Sequence, residues 1–314
     1  MGAEKMRFYV SKCHNSLNSV DYTPEKYSDY ICINPYYPVK ITNDANFIID
    51  SGAFQDVGKQ AKRLEFQDAL KRQLDFEKTV TDNHRKAEAI VSYDHLVDEQ
   101  YDEGRGQFKE RVQAKVSRKY VAETIDAAKF LAENREELAP RRLILSCQGT
   151  TVNQYLYCVN KILEIADEDD IIGLGGFCII SKSKIYEEQF YNVINKAFPK
   201  IEKKGIRRVH IFGVGLFRAL IQADICAHVN GLECSYDTSS CEMNSVFGKM
   251  FDPQRQVMSK VFSRNQKYEA YLPAKLAEFN ISTMLDFWKK FNEEFDYPEK
   301  FKAMPLKDNK RTNR

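Results

Sequence analysis

The sequence predicts a single-domain (β/α)8 barrel of the α/β class. Eight short apolar, β-branched runs recur along the first 240 residues, and longer stretches with helical apolar spacing separate most of them. A parallel pair needs such a long crossover, and eight strands in about 240 residues favour a closed barrel over an open sheet. The chain's 314 residues, 43% of them hydrophobic and 12% aromatic, suffice for one large core.

The strand candidates are residues 7–10 (RFYV), 30–33 (YICI), 47–49 (FII), 89–91 (AIV), 143–145 (LIL), 171–174 (IIGL), 209–212 (VHIF) and 232–236 (LECSY). Helical spacing and good helix formers mark 60–80, 109–134, 152–166, 187–203 and 217–230. The connections before residue 47 are too short for full helices. Beyond Tyr236 the pattern changes: 240–264 contains Gly and Pro and reads as loop, and 281–295, with the only tryptophan (Trp288), reads as a closing amphipathic helix. No repeat or low-complexity linker interrupts the chain. The expected organisation is therefore one barrel over residues 1–300 and a polar tail over 301–314, ending in KDNKRTNR.

Composition narrows the function. With 47 Lys and Arg against 45 Asp and Glu, the net charge of +2 excludes holding nucleic acid by bulk electrostatics alone. Two local basic clusters, Lys109, Arg111, Lys115, Arg118 and Lys119, and Lys200, Lys203, Lys204, Arg207 and Arg208, read either as solvated helix faces or as phosphate-tracking grooves. No run of 18 apolar residues is present, so no membrane partner is expected. The start, MGAEKMRFYVSK, lacks the apolar core of a signal peptide. The eight scattered cysteines then read as reduced core residues, and the expected setting is the cytoplasm, the host's if the chain is viral.

Chemistry in a parallel barrel gathers at the C-terminal strand ends. Here FII runs into Asp50-Ser51-Gly52-Ala53-Phe54-Gln55, AIV into Ser92-Tyr93-Asp94-His95, and LIL into Ser146-Cys147-Gln148-Gly149. The sixth strand reaches Gly175-Gly176-Phe177, the seventh Phe212-Gly213-Val214-Gly215, and the eighth Tyr236-Asp237-Thr238. An Asp after a strand can be the N-cap of the next helix, and a Gly there can serve the turn alone. GLGG and GVG do not complete the dinucleotide-binding G-x-G-x-x-G. Three aspartates and a glutamine at one mouth, however, can divide nucleophile, acid/base and recognition roles.

Taken in order, FIIDSGAFQ, SYDH, SCQG, GLGGF, FGVG and ECSYD resemble the tRNA-guanine transglycosylase superfamily over residues 47–240. Members exchange a guanine in a polynucleotide for a 7-deazaguanine base on a (β/α)8 barrel. The resemblance implies that Asp237 is the nucleophile and Asp50 the general acid/base. It also implies that Asp94 and Gln148 read the base edge, that Gly175 and Gly176 line its pocket with Ser51 nearby, and that Phe54 and Phe212 sandwich the ring. The residue types suit that chemistry. A carboxylate can capture C1′ of a sugar as a covalent intermediate while a second carboxyl group moves the proton. An aspartate can accept paired hydrogen bonds from the N1–H and N2–H2 edge of guanine, and a glutamine amide can donate to O6.

The chain departs from the tRNA-modifying members after the nucleophile strand. Their three-cysteine, one-histidine zinc site has no counterpart, since only Cys241 follows Asp237. Cys226, His228, Cys234 and Cys241 fit no common zinc spacing. Thr238-Ser239-Ser240 stands where the family carries Pro-Thr-Arg. No metal and no cofactor are expected. These differences fall on tRNA-facing elements, so the resemblance points to the branch that inserts a preQ0-type base into DNA. The expected partners are DNA and the free 7-deazaguanine base, with a second copy of the chain compatible. The same exchange on tRNA, and a catalytically silent partner subunit, are the alternatives. Of the histidines, only His95, beside Asp94, is expected near the site, as a structural hydrogen-bonder and not a catalyst.

Overall fold

The computed structural model describes residues 6–12, 26–37, 39–56, 63–102, 107–261 and 271–305. Its strands are β1 (Arg7–Lys12), β2 (Tyr30–Ile33), β3 (Asn46–Ile49), β4 (Ala89–Val91), β5 (Asp98–Asp102), β6 (Gln107–Arg111), β7 (Arg142–Cys147), β8 (Ile171–Leu174), β9 (Arg208–Ile211), β10 (Glu233–Thr238), β11 (Lys249–Asp252) and β12 (Val257–Lys260). The helices are α1 (Ala53–Gln55), α2 (Phe66–Val80), α3 (Ala114–Glu133), α4 (Arg135–Leu138), α5 (Val152–Ile165), α6 (Lys184–Lys203), α7 (Phe217–Val229), α8 (Ser240–Val246) and α9 (Tyr271–Glu294). Eight parallel strands close in the order β1–β2–β3–β4–β7–β8–β9–β10, with Tyr9 of β1 in register with Asp237 of β10 at the seam. The expected closed barrel is what the chain forms.

Strand alternation sorts side chains between two cores. Outward-facing residues meet the helices: Tyr236 stacks on Phe8 at 4.9 Å and meets Trp288 of α9 at 5.4 Å, and Trp288 also lies on Phe217. Inward-facing Tyr9, Cys32, Ile48, Ala89, Val91, Ile144 and Ile171 fill the lumen, with Tyr30 and Phe212 at its margins. These strands are buried on both faces, which is why their sequences read as unbroken apolar runs.

Ion pairs plug the N-terminal mouth. Glu88 takes Arg7 at 3.1 Å and Arg142 at 3.4 Å, and Arg208 pairs with Glu233 at 3.1 Å. All of these residues sit at or next to the first residue of a barrel strand. The opposite, C-terminal mouth is left for polar groups that are not consumed in closing the barrel.

Several boundaries differ from those the sequence suggests. The stretch 109–134 opens not as helix but within β6, antiparallel to β5, and α3 begins at Ala114. The pair β5–β6 is inserted between β4 and α3. The stretch 240–264 is not all loop: it forms α8 and the antiparallel pair β11–β12, in which Lys249 faces Lys260. The closing helix starts ten residues earlier than expected, at Tyr271, with Pro273 tolerated in its first turn. Residues expected to begin the polar tail are docked: Ala303 is buried and exchanges two 2.9 Å hydrogen bonds with Asn195 of α6. The KDNKRTNR end, Cys13, His14 and the start of the 60–80 helix lie outside the described residues. The seven described cysteines are free thiols, all buried except Cys178. No helix among the described residues is long and apolar enough to cross a membrane.

Candidate active site

None of the three aspartates is a helix cap. The N-caps of the helices that follow the barrel strands are Gly52, Glu65, Gln113, Thr151, Ser183, Leu216 and Ser239. The capping alternative for Asp50, Asp94 and Asp237 is therefore gone, and all three stand at or just past the C-terminal ends of barrel strands.

Asp50 immediately follows β3. Its Oδ2 accepts from Asn34 Nδ2 at 2.6 Å and its Oδ1 from the Ser51 N–H at 2.8 Å. Asn34 also donates to Gln55 Oε1 at 2.8 Å, tying the end of β2 to the loop. Beneath that loop is a buried ionic clamp: Arg72 of α2 grips both oxygens of the fully buried Asp56 at 2.9 and 3.1 Å, and Tyr93 donates to Asp56 at 2.7 Å. The chain turns over this clamp at Gly52, φ 79°, where a Cβ would stand 2.6 Å from Arg72 Nη2. Only glycine fits there. Gln73 of α2 adds bonds to the carbonyls of Ile49, Asp50 and Val91, binding the ends of β3 and β4 together. The Asp50 backbone is thus held from below while its carboxyl group faces the mouth. Burial, and then the neighbouring charge of Asp237, push that carboxyl up to about 6 against the Asn34 and Ser51 hydrogen bonds.

Asp94 lies three residues past β4. Burial, and then the charge of Asp50, raise its carboxyl to about 7, although Arg63 and a hydrogen bond from Ser51 pull the other way. Arg63 Nη1 binds the Asp94 carbonyl at 2.6 Å and its guanidinium lies 4.6 Å over the Tyr93 ring. Asp50 therefore interacts electrostatically with both other aspartates. The Asp50 and Asp94 carboxyl groups, from two strand ends, thus share an environment that disfavours their full ionisation.

Gln148, just beyond β7, is completely buried. Its Oε1 accepts from Val97 N–H at 3.2 Å, whereas its buried Nε2 makes no hydrogen bond in the structure. A buried amide donor without an acceptor is costly, by about 1–3 kcal/mol, and a ligand oxygen would satisfy it. The backbone at Gly175 and Gly176 lies against this amide: a Cβ at Gly175 would be 3.4 Å from Gln148 Cγ. One at Gly176, φ 74°, would be 3.6 Å from Gln148 Oε1. Gly173 acts similarly in the next layer down, since a Cβ there would strike Phe212 Cε2 at 2.5 Å. Its bare backbone lets the Phe212 ring lie close across β8. Phe54 is half-buried in α1, four residues past Asp50.

Asp237 lies inside β10, not after it as the sequence suggested, and is 13% exposed. Oδ2 accepts from Ser11 Oγ at 2.7 Å, and Oδ1 from the Gly213 N–H at 3.2 Å. His210 Nε2 stands 3.3 Å from Oδ1.

The expectation that His95 is a structural hydrogen-bonder holds, and what is corrected is which histidine reaches the site. His95 turns away from the mouth, with Nδ1 at 2.5 Å from Glu123 and its ring stacked 3.7 Å from Tyr120 on α3. His210, from within the VHIF strand, reaches the site instead. Ser11 and Asn34 were likewise missed. Their only signal is alternation, which places each in the lumen two residues past Tyr9 and Cys32 respectively. The basic clusters separate by position. Lys115, Arg118 and Lys119 are exposed on the first turns of α3, at the C-terminal mouth. Lys200, Lys203, Lys204 and Arg207 lie where α6 returns to the start of β9, at the opposite end, and Arg208 is engaged by Glu233. The Lys109 and Arg111 side chains lie outside the described residues. Among the described residues, no three His, Cys, Asp or Glu side chains gather as a metal site.

Comparison with the profiles of known protein families finds no match, and no curated protein is similar enough to serve as a relative.

Proposed function

We propose that this barrel is a base-exchange transglycosylase that replaces guanine in DNA with a 7-deazaguanine of the preQ0 type. The observation that carries the reading is the convergence of Asp50, Asp94 and Asp237 on one mouth, with Asp50 electrostatically linked to the other two. In this scheme an ionised Asp237 oxygen attacks C1′ of the target deoxyribose. The C1′–N9 bond breaks, its electron pair stays on the guanine, and Asp50 supplies the proton that neutralises the departing base. A new aspartyl–C1′ ester holds the sugar. The incoming base then gives its N9 proton to Asp50, its nitrogen attacks C1′, and the ester breaks to return Asp237 as carboxylate. A carboxyl raised to about 6 suits a group that must donate and then accept within one cycle.

Recognition falls to the remaining polar groups. Ionised Asp94 accepts from N1–H and N2–H2, and the unsatisfied Gln148 Nε2 finds its acceptor in O6. Phe212, close over Gly173, offers a flat face to the heterocycle. The exposed Lys115, Arg118 and Lys119 at the same mouth supply a phosphate-tracking face. DNA is favoured over tRNA because α8 and the β11–β12 pair occupy the stretch after Asp237, where the tRNA-modifying members of the resembled superfamily carry their zinc site.

Nucleoside mass spectrometry of DNA and tRNA fractions, from cells with and without the chain, tests this. A 7-deazaguanosine in DNA that depends on Asp237 is expected. Modified base in the tRNA fraction alone would reassign the polynucleotide, and none in either would refute base exchange.

A further inference from the structure

Among the described residues, His210 is the one titratable side chain hydrogen-bonded to Asp237 that the scheme above does not use. It is 1% exposed, in the lumen layer below Asp237. Its ring is set by edge contacts with Tyr9 at 5.7 Å and Phe212 at 4.6 Å. Nε2 is 3.3 Å from Asp237 Oδ1 and Nδ1 is 2.9 Å from Ser235 Oγ, so the imidazole bridges two residues of β10.

Proton accounting restricts what this bridge can be. An ionised carboxylate only accepts, so the contact with Oδ1 is favourable only when Nε2 carries hydrogen. In the neutral ring that leaves Nδ1 bare, and the Ser235 hydroxyl can donate to it. The same hydroxyl can turn to Val209 O at 3.2 Å, in which case Nδ1–H donates to Oγ and the ring holds both protons. Both arrangements aim Nε2–H at Asp237. Together with the Gly213 N–H at 3.2 Å, Oδ1 then has two donors fixed by the barrel wall, and Oδ2 has the Ser11 hydroxyl at 2.7 Å.

We infer that His210 is a positioning residue for Asp237, holding its carboxylate in the orientation from which it attacks the sugar. This rests on the reading of Asp237 as nucleophile. Once the ester forms, Oδ1 is its carbonyl oxygen and keeps the same two donors. When the ester breaks, negative charge returns to a carboxylate whose hydrogen bonds are already in place, so no reorganisation is needed at that moment. Phe in place of His210 preserves a flat ring but removes the donor, whereas Gln keeps an N–H of similar reach.

The full chain, a guanine-containing DNA duplex and labelled guanine as the incoming base provide the test. His210→Phe should slow single-turnover adduct formation and lower kcat by about 10–100-fold, with KM for guanine unchanged. His210→Gln should recover the rate to within a few-fold of wild type. Equal activity of His210→Phe and wild type, equal impairment of both variants, or a raised KM at unchanged kcat would each overturn the inference. A wild-type chain that exchanges no guanine would instead remove the base-exchange reading and this inference with it. Should His210→Phe not fold, imidazole 15N spectra of the wild type decide. An Nε2–H resonance that moves in Asp237→Asn is expected, and a bare Nε2 would overturn the inference.

Discussion

Ser11 Oγ donates a 2.7 Å hydrogen bond to Asp237 Oδ2, joining the first barrel strand to the last across the seam where the barrel closes. The register that pairs Tyr9 with Asp237 places Ser11 one inward-facing step above it, so closure of the barrel and placement of the carboxylate are one event. Among the described residues, every donor on Asp237 comes from the barrel wall or from Gly213 just past β9. A carboxylate held in this way loses little freedom when it reacts.

Removing that bond gives the first prediction. Ser11→Ala should lower kcat for guanine exchange by about tenfold, the rate equivalent of one hydrogen bond worth about 1–1.5 kcal/mol. Thermal stability should change little. A drop in melting temperature that accounts for the whole activity loss would show that Ser11 serves the seam and not the carboxylate.

Base recognition should depend on pH through Asp94. Its carboxyl is raised to about 7 by burial and by Asp50, and only the anion can accept from both guanine donors. The apparent kcat/KM for the free base should therefore rise as pH increases through about 7. Asp94→Asn should lower kcat/KM by about 10²-fold or more, since a donor then faces a donor, and should abolish this limb. A profile flat from pH 6 to 8 in the wild type would count against Asp94 as the acceptor.

The same shift makes a stability prediction of opposite sense. Folded Asp94 keeps its proton up to about pH 7, while the unfolded chain releases it near 4. Between those values the native state binds more protons, so stability falls as pH rises. Asp94→Asn removes the penalty. It should be more stable than wild type at pH 8, by about 1–2 kcal/mol once partial exposure is allowed for, and the gain should vanish by about pH 4. Chemical denaturation at pH 8, 6 and 4 reads this directly. A destabilised Asp94→Asn at pH 8 would contradict the origin assigned to the raised carboxyl.

Much of this architecture is legible in the sequence because strands buried on both faces have to be apolar at every position. YICI, FII and IIGL carry that mark. The aspartates that follow FII and AIV are legible for the complementary reason, since a core holds a carboxylate only where it is paired, as Asp56 is with Arg72. His210, Ser11 and Asn34 are not legible, because each sits in or beside a strand whose neighbours across the barrel are fixed by register and closure alone. His95 misleads in the other direction. It is adjacent to Asp94 in sequence, but the chain turns between them and sends the imidazole to Glu123 and Tyr120. The β5–β6 pair was hidden because it directly precedes a long helix and shares its charged composition.

The two basic clusters should behave differently. Lys115→Glu with Arg118→Glu reverses two charges at the C-terminal mouth and should weaken DNA binding at every sequence. The slope of log affinity against log salt should become shallower by about one for each phosphate that is no longer neutralised. Lys200→Glu with Lys203→Glu, at the opposite end, should leave both affinity and slope near wild type. Equal effects from the two pairs would mean that net charge, not the basic face on the first turns of α3, governs binding.

The last prediction separates the two aspartates that the scheme assigns to chemistry. With substrate DNA and no incoming base, the wild-type chain should accumulate a protein–DNA adduct that survives denaturation. Asp237→Asn should form none, because a neutral amide is a poor nucleophile and cannot balance positive charge developing at C1′. Asp50→Asn leaves the attacking group and its Ser11 and Gly213 bonds intact and removes only proton transfer. It should slow exchange by about 10²–10⁴-fold and still form adduct slowly. If Asp50 were the nucleophile, the two variants would trade behaviours. Proton affinity argues against that trade: burial and the neighbouring charge of Asp237 raise the Asp50 carboxyl to about 6, the range of a proton carrier. Peptide mapping of the trapped adduct decides: attachment within residues 233–238 fits the assignment, and attachment at Asp50 would reverse it.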